Sequence, residues 1–245
     1  MKVLILAAGY GTRLYSLVKD KPKALLEINN KPLINYILDR IGNLSNLTEV
    51  FIVTNEKFYA VFQEWADQQP VLPYAITIIN DDTKSPEDRL GSIGDIDFSI
   101  KQERIDDDLL VIGSDNLFDF NIDEYIEFAQ SKVSSVSIGL YDINDWKSAV
   151  NFGIVLLGED HKIVSFEEKP EKPKSTLAAM CFYYLPKNSL CMVEDYLVET
   201  GKSDKAGDYI RWLCQKNDVY GFKFIGKWYD IGSVEAYKEA QEKFC

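Results

Sequence analysis

Short apolar runs rich in β-branched residues alternate along this chain with amphipathic segments of helix length. That alternation restricts it to βαβ units around a mainly parallel sheet, an α/β fold. Runs at Lys2–Ala8, Val50–Thr54, Tyr74–Asn80, Leu109–Gly113 and Ser134–Tyr141 predict strands. Between them Pro32–Ile41, Phe58–Gln68, Ile93–Glu103 and Ile122–Gln130 predict helices, with Pro32 in the first turn. After residue 150 the strands shorten, at Phe152–Leu157, Ile163–Phe166 and Ala178–Tyr184. Helices at Leu190–Val198 and Tyr209–Gln215, a strand at Tyr220–Ile225 and a closing helix at Val234–Phe244 complete the pattern. No Pro/Ser-rich linker divides the chain, so one domain is expected: a core of 1–145, a smaller inserted lobe of 146–226, and a return to the core over 227–245.

Apolar residues make up 46% of the 245, enough for a sizeable core, and no stretch nears the roughly 20 apolar residues of a membrane helix. The run Val3–Ala8 leads into a glycine turn rather than a cleavage site and reads as a buried strand, not an export signal. On that basis Cys181, Cys191, Cys214 and Cys245 are expected as reduced thiols in a cytoplasm, and none of their spacings matches a zinc site. A net charge of −12 argues against nucleic acid as a partner. The charge is uneven: Lys2, Arg13, Lys19, Lys21, Lys23 and Lys31 give residues 1–32 a net of +4, leaving −16 for the rest. A basic N-terminal loop on an acidic body suits a small anion.

That loop follows the first strand as Ala7-Ala8-Gly9-Tyr10-Gly11-Thr12-Arg13-Leu14, with Lys19-Asp20-Lys21-Pro22-Lys23 beyond. Spaced glycines let backbone N–H groups turn towards a phosphate, Arg13 offers a planar fork, and Lys23 a point charge. A plain strand-to-helix turn with solvated bases is the competing reading. Two familiar phosphate loops fail. A dinucleotide loop needs glycine or alanine where Leu14 stands and an acid after the second strand, which ends in Thr54-Asn55. No Gly-Lys-Ser/Thr follows at Walker spacing.

The stretch Leu6–Leu14, followed by Leu17, Pro22-Lys23-Ala24-Leu25 and Lys31-Pro32-Leu33-Ile34, resembles the N-terminal signature of the sugar-1-phosphate nucleotidylyltransferases. Ser16 replaces that family's usual proline and Val18 its threonine. The resemblance implies a Rossmann-like sheet with a sugar-binding second lobe. It also implies a reaction of nucleoside triphosphate with sugar 1-phosphate, giving a nucleotide sugar and diphosphate. By the same resemblance Ala8, Gly9, Gly11, Thr12 and Arg13 would cradle the triphosphate, and Lys23 would stabilise charge on its α-phosphate.

Asp115 follows an apolar strand at its carboxyl end, where ligands of open α/β sheets gather, and a turn or helix-capping aspartate is the bland alternative. Ser114-Asp115-Asn116 resembles the family's Gly-Asp-Asn strand end, with serine in the glycine slot, and Trp228-Tyr229-Asp230-Ile231-Gly232-Ser233 its Trp-x-Asp-Ile-Gly-Thr motif. Asp115 and Asp230 would then hold Mg²⁺, a cation that prefers one or two carboxylates plus substrate oxygens. Asn151-Phe152-Gly153-Ile154-Val155 and Phe166-Glu167-Glu168-Lys169-Pro170 resemble the sugar-site segments. They imply Gly153 against the sugar ring, Glu168 on its hydroxyls, and Lys169 orienting the sugar phosphate. On residues alone Glu167, Glu168 and Lys169 read as a solvated turn. Leu90-Gly91-Ser92-Ile93-Gly94-Asp95 resembles the segment beneath the nucleobase, with Gly91 leaving room for the base edge. Asp88 and Arg89 before it are unusual for the family. The lone histidine, His161, lies in a polar turn and is assigned no catalytic part.

The resemblance runs from residue 2 to about 240, and a short, single-function member without a β-helix acetyltransferase domain is expected. Two rivals stay open at this stage, a phosphocholine-type cytidylyltransferase and a non-catalytic nucleotide-sensing paralogue. Both a monomer and a homo-oligomer are compatible with the sequence.

Overall fold

The structure, a computed structural model, describes residues 1–11, 14, 21–201 and 205–244. The first 90 residues hold β1 (Lys2–Leu6), β2 (Glu27–Ile28), β3 (Lys31–Pro32), α1 (Leu33–Ile41), β4 (Glu49–Thr54), α2 (Glu56–Asp67) and β5 (Ala75–Asn80). Next come α3 (Gly91–Gln102), β6 (Leu109–Gly113), β7 (Asn116–Phe118), α4 (Asp123–Ser131), β8 (Val136–Asp142), α5 (Trp146–Ala149), β9 (Gly153–Leu157), β10 (Ile163–Glu168) and β11 (Leu177–Leu185). The last are α6 (Cys191–Thr200), α7 (Ala206–Lys216), β12 (Val219–Phe224), β13 (Trp228–Asp230) and α8 (Val234–Lys243). They form a mixed α/β fold with a mainly parallel sheet flanked by helices, the class expected from the alternation.

The chain divides into two compact units, one of Met1–Leu90, Ile112–Asn121 and Gly226–Cys245, the other of Gly91–Val111 and Ile122–Ile225. Residues 91–111 and 122–145 thus group with the second unit, whereas the sequence reading placed them with the N-terminal strands. In the first unit β4 pairs in parallel with β1, Leu6 opposite Val53, and with β5, Thr54 opposite Asn80. Val3, Leu4, Ile5, Val50, Ile52 and Val53 are fully buried, which is why these strands read as continuous apolar runs rather than alternating ones. Ser114, just past β6, donates its N–H to the Leu6 carbonyl (3.1 Å), so the ends of β1, β4, β5 and β6 share one edge.

Pro32 stands one residue before α1, as its N-cap in extended backbone (φ −55°, ψ 142°), and not in the first turn. The reason is local: Glu27 pairs with Pro32 in the β2–β3 ladder, which holds residue 32 extended.

In the second unit β8 pairs antiparallel with β11 and parallel with β12, and β9 pairs antiparallel with β10. Its core is aromatic: Tyr125, Phe182 and Phe224 meet in tilted and edge-to-face contacts at 5.3–5.4 Å. A methyl on Gly139 would lie 2.8 Å from Phe224 Cε2 and 3.0 Å from Phe182 Cβ, so β8 needs glycine there to admit the rings.

Candidate active site

The shared strand edge gathers the predicted anion loop and its neighbours within the first unit. Past β1, Gly11 has φ +63°, the left-handed region that glycine adopts without strain. A methyl on Gly9 would meet no described atom within 4 Å. Thr12, Arg13 and Lys19 lie outside the described residues.

Two neighbouring segments hold the loop. Asn55, fully buried at the end of β4, donates from Nδ2 to the Ala8 carbonyl (2.8 Å). Its Oδ1 accepts the Phe58 N–H (3.2 Å), capping α2. Past β5, Asp81 Oδ1 accepts both the Thr83 N–H (2.8 Å) and the Thr83 hydroxyl (2.7 Å). With its proton given to Asp81, Thr83 accepts from the Tyr10 hydroxyl, 3.2 Å away. Burial pushes the Tyr10 phenol up, which keeps it a donor. Sequence reasoning tested Asn55 only as a substitute for an acid. An Asn just before an amphipathic helix was nonetheless a readable cap signal.

Lys23 opens a 3-10 turn, Lys23–Leu25, and Nζ donates to Asp115 Oδ2 at 2.7 Å. An ammonium has three donors, so Asp115 engages one of them. Asp115 is placed by backbone pairing: β7 and β13 run antiparallel with Asn116 opposite Asp230, and the Ile231 N–H donates to the Asp115 carbonyl (2.9 Å). The motif around Asp115 and the motif around Asp230, separated by more than a hundred residues of chain, are therefore neighbours across one short ladder. Buried Asn116 locks the turn, donating to the Gly113 carbonyl (2.9 Å) and accepting from Trp228 Nε1 (2.8 Å). Trp228→Phe leaves Asn116 Oδ1 without that donor and is expected to cost about 1–2 kcal/mol. Calorimetric unfolding would show this as a midpoint lowered by roughly 2–8 °C.

Asp230 ends β13 and Asp115 lies one residue before β7, so both carboxylates belong to one end of this ladder, and carboxylates are the ligands a hard divalent cation takes alongside substrate oxygens. Among the described residues no cluster of three or more His, Cys, Asp or Glu could hold a metal on protein ligands alone. Asp88 has a structural part: it accepts the N–H groups of Lys84 (3.0 Å) and Ser85 (2.7 Å), which hold its carboxyl below the usual range.

The second unit brings together a different set. Glu168 at the end of β10 stands opposite Gly153 on β9, and the Lys169 N–H donates to the Phe152 carbonyl (3.0 Å). Lys169 itself takes φ +46°, turning the chain sharply after Glu168. The space over Gly153 is occupied: a methyl there would lie 2.6 Å from Phe166 Cζ and 3.1 Å from Glu168 Oε2. Gly91 opens α3 with φ +79°. His161 is exposed and meets Phe128 edge-on (5.4 Å). Among the described residues no helix is long and apolar enough to cross a membrane.

The profile of the nucleotidyl transferase family matches residues 2–245. The chain is 28% identical over 249 residues to a bifunctional protein GlmU of Methanococcus maripaludis, covering 100% of this chain and 54% of that protein. It is 24% identical over 237 residues to the GlmU of Methanocaldococcus jannaschii, covering 95% and 51%. This chain thus spans about half the length of these curated relatives. A UTP–glucose-1-phosphate uridylyltransferase of Haloferax volcanii is 27% identical over 184 residues, 75% of this chain and 71% of that one. Among solved structures, a UDP-glucose pyrophosphorylase with UDP-glucose superposes with a TM-score of 0.82 at 22% identity, over 99% of this chain and 97% of that one, a likeness of fold.

Proposed function

Because the chain belongs to the nucleotidyl transferase family, we propose that it transfers a nucleotidyl group from a nucleoside triphosphate to a sugar 1-phosphate, releasing diphosphate. The observation that carries the reading is the Lys23 Nζ–Asp115 Oδ2 pair at 2.7 Å on the strand edge that also bears the Gly9–Gly11 loop. A cation and a carboxylate beside a glycine loop at the carboxyl ends of the strands support the reading of a triphosphate site there.

In this reading the backbone from Ala8 to Gly11, with Thr12 and Arg13, binds the triphosphate, and Gly91 borders the base. A phosphate monoester is anionic at pH 7, so its oxygen attacks the α-phosphorus without a general base. The new P–O bond forms opposite the breaking bond to diphosphate, which leaves with its electron pair. Lys23 draws charge from the α-phosphate, Lys169 orients the attacking phosphate, and Glu168 accepts hydrogen bonds from the sugar. The family acts with a divalent cation. Asp115 and Asp230 would hold it, as Mg²⁺, and when bound it neutralises charge on the reacting phosphates. A cytoplasmic setting belongs to the same proposal.

The test is a matrix of nucleoside triphosphates against sugar 1-phosphates and phosphocholine, read as diphosphate release with Mg²⁺. At least one sugar 1-phosphate is expected to turn over. Activity with phosphocholine alone, or nucleotide binding with no release for any pair, overturns the assignment. With the active pair, Asp230→Asn is expected to lower turnover about 100-fold. A rate within threefold of the parent would remove Asp230 from the metal site.

A further inference from the structure

We infer that Gly207 is a positioning residue for the Glu168 carboxylate, an inference that rests on the sugar-binding reading of Glu168 proposed above. Gly207 lies in the first turn of α7, on a different element from the strand motifs, and nothing in its sequence context marks it. A methyl built on Gly207 would fall on Glu168 Oε2 and lie 2.9 Å and 3.0 Å from Phe166 Cε1 and Cζ. The methyl slot of Gly153 is filled by the same two side chains. The Phe166 ring and the Glu168 carboxylate are thus held in a slot walled by two glycines, one on β9 and one on α7.

Backbone conformation does not require glycine at either wall, since neither has a left-handed φ. Glycine is the weakest helix former after proline, so its place in α7 wants a steric reason, and the carboxylate supplies one. The two occupants differ in what they can yield. Phe166 is 8% exposed and packed in the unit, whereas Glu168 carries its carboxylate on three rotatable bonds. A methyl at 207 is therefore accommodated by swinging the Glu168 carboxylate out. The main chain of Glu168 cannot follow, being held by the Gly153 ladder on one side and the Lys169–Phe152 hydrogen bond on the other. Residue 207 sets where that carboxylate stands.

The experiment compares Gly207→Ala, Glu168→Asp and the double variant with wild type, by steady-state kinetics on the active substrate pair and by crystal structures of wild type and Gly207→Ala. In Gly207→Ala the KM for sugar 1-phosphate is expected to rise about tenfold, the value of one misplaced charged hydrogen bond, while the KM for the triphosphate stays within about twofold. The shorter aspartate vacates the methyl's space, so the double variant is expected to bind sugar 1-phosphate better than Gly207→Ala alone. An unchanged sugar-phosphate KM, equal loss for both substrates, or additive loss in the double variant overturns the inference. The crystal arm separates it from the proposal on which it rests. A wild type inactive on every sugar 1-phosphate, with the carboxylate still displaced in Gly207→Ala, sinks the sugar reading and keeps the positioning; a carboxylate that has not moved sinks the positioning.

Discussion

Asp115→Asn is expected to lower turnover about 100-fold or more while leaving the protein folded. Asparagine keeps the size of the side chain and removes its charge, so a cation held through that carboxylate loses its anionic ligand. The fold does not depend on that charge. Asp115 is anchored through its backbone carbonyl, which accepts the Ile231 N–H at 2.9 Å, and Asn116 locks the turn through Gly113 and Trp228. The lost charge costs little stability because asparagine keeps an Oδ1 acceptor for Lys23 Nζ, so the part-buried contact survives as a weaker hydrogen bond, a loss of about 1 kcal/mol. A thermal midpoint within a few degrees of wild type should therefore accompany the drop. Lys23→Ala is expected to cost a similar factor, and the double variant less than the product of the two, since both groups act on one phosphate. Diphosphate release by Asp115→Asn near the wild-type rate would remove the carboxylate from the chemistry, and multiplicative losses would mean that the pair does not act as a unit.

What could be read in advance follows from how far apart the interacting residues lie in sequence. Leu109–Gly113 is fully buried and was legible as a strand from five consecutive apolar residues, because such a run reports its surroundings directly. The glycine loop was legible because its groups are consecutive. The β7–β13 ladder was not: each strand is three residues long, and only the pairing of Asn116 with Asp230 makes either one a strand. Its existence is tertiary information, and so is the adjacency of the two aspartate motifs that depends on it. Pro32 shows the opposite failure, a correct local preference for a helix start shifted by one residue because a two-residue ladder competes for it. Gly207 carries no signal at all, since its meaning lies in a side chain arriving from another element. The grouping of residues 91–111 with the later unit is tertiary information too: α3 packs with the later helices α6 and α7, Lys101 pairing with Glu194, and β6 neighbours β11 in the sheet.

The largest effect on stability is expected from Asn55→Leu. Asn55 is fully buried and serves two backbone groups at once, the Ala8 carbonyl and the Phe58 N–H. Leucine has the same number of side-chain heavy atoms with the same branching, so no cavity masks the polar loss, and its bulkier methyls add to the cost. It leaves the Ala8 carbonyl without its side-chain donor and strips α2 of its cap, a combined cost of roughly 2–4 kcal/mol. For a chain of this size that corresponds to an unfolding midpoint lowered by about 4–16 °C. Asn55→Ser divides the two contributions, because a serine hydroxyl caps a helix well but its shorter arm does not span to Ala8. It is expected to recover the capping share of stability and still raise the KM for the triphosphate, since the strand-to-loop junction at Ala8 loses its tether one residue before Gly9. If Asn55→Ser matches wild type in both stability and triphosphate KM, the Ala8 bond contributes nothing to the loop. A triphosphate KM that shifts while stability is restored identifies Asn55 as the group that fixes the anion loop to the end of β4.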